Sequence, residues 1–362
     1  MIIQQLRLVQ FKSYEAAEFH FEGRIHAITG RNGTGKTNLL DALHHLSLAR
    51  SAFNRQDQAQ IFHDSGFYRI DARLSNDGQP ARMELTYARQ GKKEIKWNGA
   101  PVDRLADHVG RLPVVLILPD EPYQMKESMD WRRSFIDTTL SQAFPEYLSA
   151  LARVKKILQQ KAAALKYFQH RNQTDFTLLA TLNEGLVRES GPVYAFREKY
   201  LPVLAEELKV QYNFLSENRE EANLLYEPEV PFVQLERQLE SLVSTECQLA
   251  RCVAGPQRDD FQFQLDDFSI KKRASQGQQK TFLLALKLAQ YQFLKAQLGK
   301  APWLLLDDIF DKLDDFRIQR LLERIAQPDL GQVFLTDARE ERLRSLLETK
   351  GLEFQVLPVA GS

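Results

Sequence analysis

The feature that most narrows the fold is the run Gly-Arg-Asn-Gly-Thr-Gly-Lys-Thr at residues 30–37. It satisfies the phosphate-loop pattern of Gly, four residues, Gly, Lys, then Ser or Thr. Ile25, Ala27 and Ile28 ahead of it form a short apolar run that reads as a buried strand. Leu39, Leu40, Leu43 and Leu46 behind it recur at helical spacing. Strand, glycine turn and helix in that order belong to an α/β fold. They aim backbone N–H groups and a helix N-terminus at one anion. Gly30, Gly33 and Gly35 let the backbone bend around a phosphate without Cβ clashes. Lys36 offers a mobile point charge for the outer phosphates, and Thr37 a hydroxyl for Mg²⁺. The candidate nucleotide-binding set is Gly30, Arg31, Asn32, Gly33, Thr34, Gly35, Lys36, Thr37 and Asn38. A glycine turn without function is the competing reading. The strand and helix flanking it favour the nucleotide.

The 362 residues are enough for about two domains with a real core. The 48 basic and 48 acidic side chains cancel, which argues against a histone-like electrostatic binder but leaves room for a local basic face. Cys247 and Cys252 are too few for a disulfide framework and lack a metal-ligand pattern. The start, Met1 to Tyr14, has no signal-peptide pattern, and runs such as Val114 to Leu118 are too short to span a bilayer. The expectation is a soluble cytoplasmic protein with no membrane partner.

Leu6 and Leu8, then Ala17, Phe19 and Phe21, alternate as two antiparallel strands ahead of the phosphate loop. Residues 49–55 form a polar, basic loop after the first helix. Ile70/Ala72/Leu74, Met83/Leu85/Tyr87 and Ile95/Trp97 alternate as a small meander, with turns at Asn76-Asp77-Gly78 and Asn98-Gly99. From Trp131 to Leu249 the chain reads as helix, broken near Asn172–Asp175, Gly191-Pro192 and Glu227–Pro231. Within it, the stretch from Leu148 to Thr174 carries Arg153, Lys155, Lys156, Lys161, Lys166 and Arg171 and no acid. Two readings stand for these cations: a solvated face paired with the acidic return, or a surface that contacts DNA phosphates. Phe261, Phe263 and Leu265 then re-enter a sheet.

Trp303-Leu304-Leu305-Leu306 is a buried strand ending in Asp307 and Asp308. Asp307 is placed to hold the Mg²⁺ shell opposite Thr37, and Asp308 to orient or deprotonate water aimed at the γ-phosphate. Ser275-Gln276-Gly277-Gln278-Gln279 opens a long apolar helix shortly before that strand. As an isolated pattern it is an ordinary N-cap. In this position it is similar to the signature segment of ABC-type ATPases, whose serine and helix N-terminus cap the γ-phosphate held by a second subunit.

Further segments make the resemblance narrow. They are Phe11-Lys12-Ser13-Tyr14, Pro119-Asp120-Glu121, Trp131 to Asp137, Gly255-Pro256-Gln257-Arg258-Asp259-Asp260, Leu304 to Asp314 and Val333 to Asp337. Together and in this order they resemble the RecF family of bacterial recombination and replication-repair ATPases, in the SMC-like branch of ABC ATPases. The sequence departs from that family pattern at Lys12 (for Arg), at Gln257 (for His) and at Thr336-Asp337, where no switch histidine stands.

The resemblance implies an ABC-type ATPase head with an antiparallel β subdomain and an inserted helical subdomain. Its expected segments are 1–120 and 253–362 for the ATPase lobe and 121–252 for the insertion. It implies ATP and Mg²⁺ as cofactors. Lys36, Asp308 and Ser275 are the expected catalytic residues, Ser275 and Gly277 further nucleotide contacts, and Thr37 and Asp307 the metal ligands. It also implies an ATP-dependent homodimer on gapped or junction DNA that assists RecA loading, with RecR and RecO as partners. A clamp gated by nucleotide, or the motor subunit of a transporter, are the alternatives.

Overall fold

The computed structural model describes residues 1–360 other than Asp77, Asn172 and Asn218, with Lys312 described by its backbone alone. The chain begins β1 (Ile2–Phe11), β2 (Tyr14–His20), β3 (Ile25–Thr29), α1 (Lys36–Leu48), β4 (Phe67–Asn76), β5 (Gln79–Ala88), β6 (Glu94–Trp97), β7 (Ala100–Pro101) and β8 (Val114–Ile117). It continues through α2 (Glu121–Glu127), α3 (Met129–Ala143), α4 (Pro145–Arg171), α5 (Phe176–Ser216), β9 (Ala222–Glu227), α6 (Phe232–Ser241) and α7 (Val243–Leu249). The remainder is β10 (Asp260–Leu265), β11 (Phe268–Ser269), α8 (Ile270–Arg273), α9 (Gln276–Leu298), β12 (Trp303–Leu306), α10 (Asp315–Ala326), β13 (Val333–Asp337), α11 (Glu340–Thr349) and β14 (Gln355–Pro358).

Two compact units divide this chain. The first holds residues 1–122, 214–217 and 280–362, and the second holds 123–213 and 218–279. The sequence boundary expected at 252 therefore falls inside the second unit, and the strand and serine segment that follow it belong to that unit too.

The first unit contains a parallel sheet in the order β14-β3-β13-β12-β8. β3, β8, β12 and β13 are buried at every residue. That is why their sequences are continuous apolar runs and do not alternate. Helix α1 packs on β13 and β8, and α11 packs on β3. The phosphate-loop strand β3 and the carboxylate strand β12 are not neighbours, because β13 lies between them. The same unit carries a six-stranded antiparallel sheet, β2-β1-β4-β5-β6-β7. The hairpin and the meander read separately from sequence are joined in it by β1 pairing with β4, as in Leu8 opposite Ile70. Residue Asp77 of the turn expected at Asn76-Gly78 lies outside the described residues.

The second unit is mostly helical, with a small sheet β11-β10-β9. Two expectations are corrected here. Residues 222–227 are a strand, where the sequence reading continued in helix. β9 pairs along its length with β10, from Ala222 opposite Leu265 to Glu227 opposite Asp260. Gly191-Pro192 does not break a helix either: α5 runs through Pro192 and Pro202. Each proline costs a helix interior ~3 kcal/mol. Leu186, Val193, Leu201, Leu204 and Leu208 are buried along α5, at about 1.5–3 kcal/mol each. Their burial outweighs the two prolines. The helix break expected near 172–175 falls between α4 and α5, with Asn172 itself outside the described residues.

Candidate nucleotide-binding site

The site lies at the C-terminal ends of β3, β13 and β12, where open α/β sheets bind ligands. The loop after β3 turns sharply before entering α1. Gly35 takes φ +106°, and a Cβ there would sit 2.9 Å from the Tyr14 hydroxyl oxygen. A Cβ at Gly30 would collide with the Val359 carbonyl oxygen. Only glycine fits these two places. Tyr14 donates its hydroxyl to the Gly35 carbonyl at 3.0 Å, and Asn38 donates its side-chain amide to Ser13 Oγ at 2.8 Å. Those two contacts fix the loop from the side of the Phe11–Tyr14 segment.

Helix α1 begins with no side-chain cap and no acid in its first turn. Its leading N–H groups have no intrahelical acceptor, so they present partial positive charge to an anion. Lys36 is buried, and its Nζ donates to the carbonyl oxygens of Gly30 at 2.8 Å and Arg31 at 3.2 Å. The cation is thus drawn across the loop. Arg31, Asn32 and Gly33 at the loop tip are exposed.

Two threonine side chains, from α1 and β13, meet at Asp307 after β12. Thr37 Oγ1 lies 3.0 Å from both Asp307 carboxylate oxygens. Thr336 Oγ1, from β13, donates to Asp307 Oδ1 at 2.8 Å and accepts the Asp308 backbone N–H at 2.9 Å. Asp308 adopts a left-handed backbone, φ 42°, which Asp tolerates better than most residues. Burial pushes the Asp307 carboxyl above the ordinary carboxylate range, against the two threonine hydroxyls that hold it down. Burial raises Asp308 as well, with Lys36 opposing and Asp337 and Asp311 assisting.

Among the described residues, no group of three or more His, Cys, Asp or Glu is placed to hold a metal ion. Thr37 and Asp307 together are a hard oxygen pair of the kind that takes Mg²⁺ alongside nucleotide phosphates. With the Gly35 cradle and the uncapped α1 terminus, these residues fit a Mg²⁺-nucleotide.

Sequence reasoning named Ser13, Tyr14 and Thr336 only as parts of longer segments, without a role at the site, and passed over Asp41. Asp41 is buried and collects Lys12 Nζ at 2.6 Å, Ser51 Oγ at 2.7 Å and the Ala52 N–H at 2.7 Å. It thereby ties the basic loop after α1 to the Phe11–Tyr14 segment. An acidic side chain set within the apolar run Leu39-Leu40-Asp41-Ala42-Leu43 was the signal that could have exposed it.

In the second unit, Ser275 and Gly277 open α9. Ser275 Oγ accepts the Gln278 N–H at 3.2 Å, and Gln278 Oε1 accepts the Ser275 N–H at 2.7 Å. This is a reciprocal capping box at an exposed helix N-terminus.

The basic helix is α4. Lys155, Lys156 and Lys166 are exposed. Arg153 is tied to Glu189 at 2.5 Å. Lys161 is not on the surface, which corrects its place among the DNA contacts. It falls in the buried stripe of Val154, Leu165 and Phe168 and forms an ion pair with the equally buried Glu246 at 2.5 Å.

A profile of the RecF/RecN/SMC N-terminal domain matches residues 2–356. The DNA replication and repair protein RecF of Flavobacterium johnsoniae is 34% identical over 98% of this chain and 99% of its own length. That of Phocaeicola vulgatus is 36% identical over 99% of this chain and 96% of its own. The fold matches a solved structure of "the recombination mediator protein RecF-ATPrS in RecFOR pathway", with TM-score 0.87 and 23% identity over 99% of this chain and 95% of that one. It also matches an Smc head bound to a winged-helix domain of ScpA, with TM-score 0.56 and 16% identity over 100% of this chain and 95% of that one. With the phosphate loop, the carboxylate strand and the capped α9 in place, the chain belongs to the RecF family and has the ABC-type ATPase head fold of the RecF/SMC group.

Proposed function

We propose that this protein is an ATP-dependent DNA-binding protein of replication and recombinational repair, and a slow ATPase. The observation that carries the reading is the joining of Thr37, Asp307 and Thr336 beside the uncapped N-terminus of α1. The names of its relatives, "DNA replication and repair protein RecF", support the pathway. A solved relative described as "RecF-ATP" supports the nucleotide.

In this reading the loop from Gly30 to Asn38 wraps the phosphates, and Lys36 leaves its loop carbonyls for the outer ones. Thr37 and Asp307 would hold Mg²⁺, which when bound would supply positive charge for the transferred phosphoryl group. Thr336 keeps Asp307 oriented. Asp308 positions or deprotonates the attacking water. Ser275, Gly277 and the N-terminus of α9 from a second copy close over the γ-phosphate, so ATP drives a head-to-tail homodimer. DNA contact comes through the exposed α4 lysines Lys155, Lys156 and Lys166. The DNA is a gap or a single-strand/double-strand junction. DNA-stimulated hydrolysis then resets the dimer. RecR, RecO and RecA are the expected pathway partners.

The test is equilibrium titration with a fluorescent ATP analogue and Mg²⁺. Lys36→Ala is expected to abolish tight binding, and Asp308→Asn to keep binding while slowing hydrolysis by about 10²-fold or more. Wild-type affinity in Lys36→Ala rules the site out.

A further inference from the structure

A groove of about 500 Å³ runs along the second unit, lined by none of the residues given a role at the nucleotide site or in DNA contact. One wall is the first three turns of α5, and the other is the α6–α7 pair. Its floor is apolar, with Phe176, Ala180 and Val187 on α5 and Val243 on α7. Val243 itself packs on the buried cluster of Leu165, Phe168 and Leu179, so the floor continues the core of the unit. Phe176 is 68% exposed, and Val233, on the face of α6 that carries Glu236 and Glu240, is 89% exposed. Isolated exposed apolar residues are ordinary, but Phe176 lines a concave surface together with Ala180, Val187 and Val243.

The rim has one sign. Glu184, Glu236 and Glu240 line the groove, and no hydrogen bond or ion pair engages their carboxylates among the described residues. Elsewhere the acids of this unit are commonly paired, as Glu189 is with Arg153 and Glu229 with Arg258. The floor also holds Asn183, 7% exposed, whose Oδ1 has no hydrogen-bond partner. A buried amide acceptor left unmatched costs stability, and a donor from a ligand in the groove would satisfy it. From Phe176 to Val187 the α5 wall is about 17 Å long, at 1.5 Å per residue, or three helical turns.

We propose that this groove is a docking site for a short amphipathic helix of a partner protein, with apolar side chains inward and lysine or arginine along both edges. The length of the wall sets three turns, the floor selects the apolar face, and the three unpaired glutamates select the cationic edges. The same carboxylates repel a phosphate backbone, so the surface is distinct in chemistry from the basic face of α4.

The experiment uses the full-length protein and a fluorescein-labelled leucine/lysine helical peptide of about 15 residues, a little over four turns. A leucine/glutamate peptide of the same length is the control. Fluorescence anisotropy is expected to show saturable binding of the lysine peptide alone. Hydrogen exchange should slow in residues 176–187 and 236–244. The triple variant Glu184→Lys/Glu236→Lys/Glu240→Lys should weaken the lysine peptide by about tenfold or more and gain the glutamate peptide. Ala180→Trp, at an exposed position, fills the floor and should weaken binding as much without a change of charge. Wild-type peptide affinity in both variants overturns the proposal. So does protection of the two segments that depends on protein concentration in the absence of peptide, because the occupant is then a second copy of this chain.

Discussion

Lys161→Met is the most telling perturbation of the second unit, because it separates a structural cation from a DNA-binding one. Lys161 and Glu246 have fully buried side chains 2.5 Å apart. Truncating one member of such a pair leaves the other charge buried without compensation, at about 3–5 kcal/mol. Glu246 Oε1 also accepts the Val253 N–H at 3.0 Å, so Glu246→Gln keeps that acceptor while removing the charge. The double variant Lys161→Met/Glu246→Gln should therefore recover most of the loss and sit within ~2 kcal/mol of wild type. The assay is urea unfolding followed by circular dichroism. Hydrogen exchange of α4 and α7 amides assigns the transition to this unit. The reasoning fails if Lys161→Met unfolds within ~0.5 kcal/mol of wild type, the range of an ordinary surface substitution. It fails equally if the double variant is no better than the single one.

Two further outcomes follow from the first unit. Thr336→Val removes the hydroxyl that joins Asp307 to the Asp308 backbone, and should weaken Mg²⁺-dependent nucleotide binding by about tenfold, as loss of an outer-shell ligand partner does. Thr336→Ser should restore it, and equal affinity in all three proteins would remove Thr336 from the site. His26 and His108 are fully buried, and burial lowers each pKa to about 4. The unfolded chain, with His near ~6.5, binds their protons first, so stability is fully present above that pH and is lost as pH falls toward 4. The unfolding midpoint should drop across this window, and His108→Gln should flatten the drop by about one proton; an unchanged slope contradicts the assignment.

What the sequence revealed was local. The phosphate loop, β3 and α1 are contiguous, so composition and spacing show them together. The carboxylates are legible because a four-residue apolar strand delivers them, and the N-cap because Ser275 directly precedes a long apolar helix, whereas the return bond from Gln278 was not read. What it concealed depends on crossovers. Thr336 reaches Asp307 only because β13 lies between the phosphate-loop strand and the carboxylate strand, an order that no local pattern encodes. Lys161 looks like one more surface cation until Glu246, in another helix, is folded against it. β9 carries alternating Ala222, Leu224 and Tyr226, a signal too short to stand against the helices around it until β10 pairs with it. Gly191-Pro192 shows the opposite failure, a strong local breaker overruled by packing along α5.

In the proposed function ATP joins two copies through the Ser275 end of α9, and sedimentation velocity decides whether it does. Wild-type protein is predicted to be a dimer with Mg²⁺-ATP and a monomer with ADP or no nucleotide. Ser275 is exposed, so Ser275→Arg leaves the monomer folded while crowding the surface proposed to meet the γ-phosphate of a second copy. That variant should remain a monomer and still bind ATP at its own phosphate loop, losing only the affinity that the second copy adds. A wild-type protein that stays monomeric in saturating Mg²⁺-ATP, or a Ser275→Arg protein that dimerises as wild type does, would contradict the account.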